Sequence, residues 1–117
     1  MLFRVDAAAP VPLADQIAAQ VRGGLVHGDL TPGERLPPAR DLAAALDVNI
    51  HTVLRAYARL REEGLIDVRR GRGAVVRGDA DPQRLRVTEL ARLFVDEARR
   101  LGLAEAEMVN MIKEARP

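Results

Sequence analysis

The chain has 117 residues, 48% of them hydrophobic, no cysteine and a formal net charge of +1. That length allows one domain, or one small domain with an appendage, around a modest core. The balance excludes a disordered chain, a polycation, a disulfide scaffold and thiolate metal sites. No apolar run approaches the roughly 18 residues of a membrane span. The N-terminus lacks a charged segment followed by an apolar stretch, so a cytoplasmic protein is expected.

In chain order, residues 1–11 read as a loose lead-in, because Pro10 and Pro12 discourage helix before Leu13. Leu13, Ile17, Val21 and Leu25 stand four apart and make one helical face. Gly23 and Gly24 weaken that helix by about 1 kcal/mol each. Gly28 closes it as a left-handed cap. Thr31-Pro32-Gly33 is a turn, and Glu34-Arg35-Leu36 a short strand with Leu36 inward.

A second helix spans about Ala39 to Leu46, with Leu42, Ala43 and Leu46 on one face. Asp47-Val48-Asn49 breaks it, since Asp visits left-handed geometry at low cost and Asn caps the next helix. That third helix runs to about Glu63, stops at Gly64, and turns Val53, Ala56, Tyr57 and Leu60 inward. Leu65 to Val68 and Ala74 to Val76 are strands of a hairpin around Arg69-Arg70-Gly71-Arg72-Gly73. Residues 77–81 form a linker, after which Asp81-Pro82 restarts helix. Val87, Leu90, Phe94, Ala98 and Leu101 follow helical spacing to Gly102. A last helix, about Ala104 to Ala115, presents Met108, Met111 and Ile112.

The expected fold class is therefore α+β: a winged helix-turn-helix of three helices and a β-hairpin wing over residues 11–78, then a two-helix dimerisation hairpin over 79–117. Charge follows the same division. Residues 35–77 hold nine Arg against five acidic residues, whereas 79–117 hold seven basic against eight acidic. A positive middle beside a near-neutral tail points to one face that meets an anion. Seventeen of the eighteen basic residues are Arg throughout the chain, so placement says more than abundance.

The second helix of such a pair lies in the major groove of duplex DNA and uses its N-terminal residues. Here these are Asn49, Ile50, His51 and Thr52. Asn, His and Thr can hydrogen-bond base edges. Asn49 can equally be a cap only, and Thr52 a packing residue only. Ile50 and Leu54 are apolar on the groove face; they touch thymine methyls or are ordinary surface. Arg70, Gly71 and Arg72 put Arg on a Gly turn, which suits a narrow minor groove, or else form a solvated tip. Arg40 and Arg55 are expected phosphate clamps. Arg59 and Arg61 are expected to pair with Glu62 or Glu63, a solvated acidic face, and stay outside the site.

Catalytic supplies are thin. There is no Ser and no Cys, the two His lie on different elements, and no metal-ligand spacing occurs. No enzyme activity, cofactor, metal or membrane contact is expected, and no residue set points to a small-molecule effector. The tail matters for assembly, since two short helices bury two apolar faces poorly on each other. Val87, Leu90, Phe94, Met108 and Ile112 are the expected dimerisation residues. A two-fold dimer presents its recognition helices roughly 34 Å apart, matching a palindromic operator. The other arrangement folds this hairpin back on its own winged domain.

These residues carry a family resemblance from Pro12 to Val76. The motifs are Pro12-Leu13-x-x-Gln16-Ile17, Leu30-x-Pro32-Gly33-x-Arg35-Leu36-Pro37, Arg40-x-Leu42-Ala43, Thr52-Val53-x-Arg55-Ala56-Tyr57-x-x-Leu60 and Glu63-Gly64-Leu65-Ile66, closed by Arg70-Gly71-x-Gly73. In them the chain resembles the GntR family of bacterial transcription regulators. The short helical tail and Val48-Asn49 before Thr52 make it similar to the YtrA-type subfamily. The resemblance implies a homodimeric regulator, usually a repressor, acting on an operator near its own operon, often beside transporter genes. It also implies DNA contact at Arg40, Thr52, Arg55, Arg70 and Gly71. Four positions depart from the family's usual residues: Ile50 and Leu54 stand for Arg, Pro38 for Ser and Asp47 for Gly. The expected function is sequence-specific regulation of transcription on double-stranded DNA. The alternative is a winged-helix protein-interaction module that binds no duplex.

Overall fold

Local chemistry sets the helix boundaries of this protein. The computed structural model describes residues 1–69 and 73–117. Its elements are α1 (Leu13–His27), α2 (Ala39–Leu46), α3 (Ile50–Glu62), β1 (Ile66–Arg69), β2 (Gly73–Val76), α4 (Pro82–Arg100) and α5 (Glu105–Glu114). They fall into two compact units, Met1–Pro82 and Gln83–Pro117.

In the first unit α1 ends at Gly28, whose φ of 83° is the left-handed cap that lacks a Cβ penalty. Leu30 N–H then donates back to the Gly24 carbonyl at 3.0 Å. A Cβ at Gly24 would lie 3.2 Å from Leu30 Cδ1, so the helix-weakening glycine makes room for this return. α2 ends at Asp47, with φ 54° and ψ 49°. Asp47 is the one non-Gly residue of positive φ among the described residues. Val48 N–H closes the turn on the Ala43 carbonyl at 3.0 Å. Asn49 then accepts from His51 N–H at 2.8 Å and starts α3.

The core gathers the inward faces of these helices. α3 is central, packing against α1, α2 and β1. Ile17, Val21, Leu25, Val53, Leu60, Ile66 and Val76 are its largest fully buried side chains. Tyr57 adds a polar tie, its hydroxyl donating to the Pro37 carbonyl at 2.6 Å. Burial pushes the phenol up, so it stays a protonated donor.

β1 and β2 pair antiparallel in the register Ile66↔Val76 to Arg69↔Gly73. The segment before α2 adds a minimal third strand through an Arg35↔Val75 bridge. Gly33 N–H donates to Val76, Leu36 N–H to Ala74, and Val76 N–H to Glu34. Leu36 is buried, as its expected inward position requires.

The N-terminal segment corrects the reading of residues 1–11 as a loose lead-in. Phe3 is buried. The Gln20 side-chain amide accepts from Arg4 N–H and donates to the Arg4 carbonyl. Gln16 does the same for Asp6 and also donates to the Val11 carbonyl. Two glutamines one helical turn apart thus stand in for a neighbouring strand.

In the second unit α4 and α5 meet at a turn where Gly102 adopts φ 75°. Leu103 N–H donates to the Ala98 carbonyl at 3.0 Å. Helix α5 buries none of its residues, and α4 buries only Leu85 and Ala98.

Candidate nucleic-acid interface

The face of α3 turned away from the core begins at the Asn49 cap. His51 and Arg55 are exposed on it, and Arg40 is exposed in the first turn of α2. The structure therefore leaves Arg40, Asn49, His51 and Arg55 all exposed on α2, α3 and the α3 cap. Thr52 differs: it is only 8% exposed and lies beside Val53 and Ala56 on the inward side. It lines a cleft of about 390 Å³ with Leu13, Asp15, Arg55 and Arg59. The expected wing residues Arg70, Gly71 and Arg72 lie outside the described residues.

Asn49 Oδ1 is already engaged in capping, so its cap role is realised whatever else it does. A carbonyl oxygen has a second lone pair, and the amide NH₂ carries two donors of its own. Arg40, Arg55 and Arg61 make no ion pair among the described residues. Among the described residues these three guanidiniums supply exposed positive charge on α2 and α3, and Arg61 lay outside the expected site.

Two further expectations are corrected. Arg59 pairs with Asp15 in the first turn of α1, not with Glu62 or Glu63. Glu63 is no unpaired carboxylate: it receives Arg22 through Nε at 2.8 Å and Nη2 at 2.7 Å. The Arg22 side chain is buried, and this bidentate pair ties the end of α3 to α1. At the wing's base Arg77 grips Asp79 through two bonds of 2.9 Å. That hydrogen bonding, aided by charge, raises the Arg77 pKa and lowers that of Asp79.

Between α3, the start of α2 and the wing lies a second cleft, of about 290 Å³. Leu54, Tyr57, Arg61, Val68 and Ala74 line it. The sequence placed Leu54 outward but gave no sign that Val68 would join it.

Residues 13–76 match the profile of the bacterial regulatory proteins of the gntR family. The chain belongs to that family. It is a DNA-binding transcriptional regulator of the winged helix-turn-helix class, and the family is one of regulators, not of enzymes. It is 38% identical over 110 residues to the HTH-type transcriptional regulator Rv1152 of Mycobacterium tuberculosis, covering 94% of this chain and 90% of the relative. The HTH-type transcriptional repressor YtrA of Bacillus subtilis is 28% identical, with 97% and 91% covered. Among solved structures, YtrA of Sulfolobus acidocaldarius, a GntR-family transcription factor, matches with TM-score 0.63 at 36% identity, covering 80% of this chain and 98% of that one. These similarities place the chain in the YtrA-like subfamily that its short tail had suggested. Among the described residues no helix is long and apolar enough to cross a membrane.

Proposed function

We propose that this regulator acts in the cytoplasm as a homodimeric repressor of its own operon, binding a palindromic operator. The observation that carries the reading is that Asn49, His51 and Arg55 on α3 and its cap, and Arg40 on α2, are all exposed. In this reading α3 enters the major groove, His51 and Asn49 meet base edges, and Arg40 and Arg55 hold phosphates. Arg70 and Arg72 are the residues the sequence assigns to the minor groove. Thr52, 8% exposed, stands at the margin of the outward face of α3, in the cleft it lines with Arg55 and Arg59.

The dimer is supported by the second unit, where Val87 is 66% and Ile112 63% exposed. Leu90, Leu93, Leu101, Val109 and Met111 are exposed as well, so the apolar surface is wider than the five residues first named. Phe94 and Met108 are half-buried at its edge. The printed role of the Bacillus relative, a repressor, supports the sign of regulation.

Fluorescence anisotropy of the full chain on its own upstream region tests this. Affinity falls steeply with salt, and Arg40→Ala lowers that slope by about one. Arg70→Ala weakens all sequences alike, while His51→Ala changes which sequence is preferred. A salt-independent affinity, or binding only to another protein, sinks the reading.

A further inference from the structure

The outward face of α3 mixes polar side chains with two that have no hydrogen bond to offer, Ile50 and Leu54. Leu54 is 44% exposed, one turn after the half-buried Ile50 on the same side of the helix. Across the cleft stands Val68, 47% exposed at the outer end of β1. Ile66, two residues earlier on the same strand face, is fully buried, so Val68 is where that apolar face runs out of core. The other exposed large apolar residues of this unit, Met1, Leu2 and Val11, all belong to the N-terminal segment.

The surroundings of the cleft decide what fits there. Arg61 lines it, while Arg55 lines the neighbouring cleft on the other side of α3 and Arg40 is exposed in the first turn of α2. None of the three arginines makes an ion pair among the described residues. The occupant is thus strongly anionic outside and apolar at one point. Duplex DNA meets both conditions in the major groove, where the 5-methyl of thymine is the apolar group on a base edge.

We propose that Leu54, flanked by Ile50 and Val68, is a specificity-determining residue that reads a pyrimidine 5-methyl group. The inference rests on the duplex-binding reading above and adds to it a base preference at one position of each half-site. Leu54 offers carbon to carbon: it removes methyl and side-chain surface from water together, and it discriminates against a base edge that presents only polar atoms.

Selection from two pools of random duplexes tests it, the second pool made with deoxyuridine in place of thymidine. The two differ by the 5-methyl alone, since the pairing edge and groove acceptors are shared. The full chain enriches from the first pool a motif with a fixed thymine. From the second it enriches the same motif with that one preference gone. On the enriched duplex each thymine-to-uracil change at that position weakens binding about fourfold, the value of burying one apolar carbon. Leu54→Ala still binds, with an unchanged unfolding midpoint, and is indifferent to the change. Leu54→Arg moves the preference to guanine, whose O6 and N7 accept a guanidinium.

A thymine preference that survives in the uracil pool overturns the proposal. So does a Leu54→Ala variant as sensitive to uracil as the parent. Equal motifs from both pools sink the methyl reading and leave DNA binding standing. No enrichment from either pool removes the duplex-binding reading itself, and this inference with it.

Discussion

The winged unit and the C-terminal helical unit are both built from amphipathic elements, yet they use their apolar residues in opposite ways. Every fully buried large side chain among the described residues, from Ile17 to Val76, lies in Met1–Pro82. In Gln83–Pro117 the apolar residues of α4 and α5 are mostly exposed, and only Leu85 and Ala98 are buried. The lesson is that helical periodicity reports an apolar face without reporting what covers it. Spacing in α3 and α4 looks alike on paper, but one face closes a core and the other is left largely exposed.

Substitutions on the two sides sharpen that contrast. The largest effect is expected within the first unit. Leu60→Ala removes a fully buried side chain and costs about 2–5 kcal/mol, read from urea unfolding. The loss should not depend on protein concentration. If it does, the winged unit is not self-sufficient.

Leu90→Glu addresses the second unit. Leu90 is 51% exposed, so the change costs the single chain little. Sedimentation should show a monomer where the parent associates. Operator affinity should fall about a hundredfold as the second recognition helix loses its tether. A dimer that persists would place the interface elsewhere than on α4.

The smallest effect concerns the polar tie inside the core. Tyr57→Phe removes the hydroxyl bond to Pro37 and costs about 1 kcal/mol. It also carries a pH signature. The folded phenol is held protonated, whereas the unfolded one ionises near its ordinary 10.0. Below that value the difference contributes nothing to lose; as pH rises past it, the unfolded chain gains and the fold weakens. Alkaline titration of the parent should show this loss, and Tyr57→Phe should not.

Much of the winged unit was legible because its signals are local. Gly28, Asp47, Asn49 and Gly64 each fix a turn within a few residues, and all four behave as their chemistry demands. What escaped reading is long-range. Nothing near Glu63 announces that Arg22, 41 residues away, will reach it. Nothing near Asp15 announces Arg59, and the hold of Gln16 and Gln20 on Arg4 and Asp6 appears only once α1 lies beside the N-terminal segment. Thr52 is a different case. It stands four before the inward Ala56, so helical spacing already put it at the margin of the buried stripe, where the structure leaves it 8% exposed.

Asp47 separates the geometry of recognition from its content. Its left-handed backbone sets how the two helices of the reading head are hinged, and its N–H is spent on the carbonyls of α2. Anyone diversifying this regulator to find new target sequences could randomise Ile50, His51 and Leu54 freely. Position 47 would tolerate little beyond Gly, Asn and Asp, for a β-branched replacement would misalign every variant in the library at once.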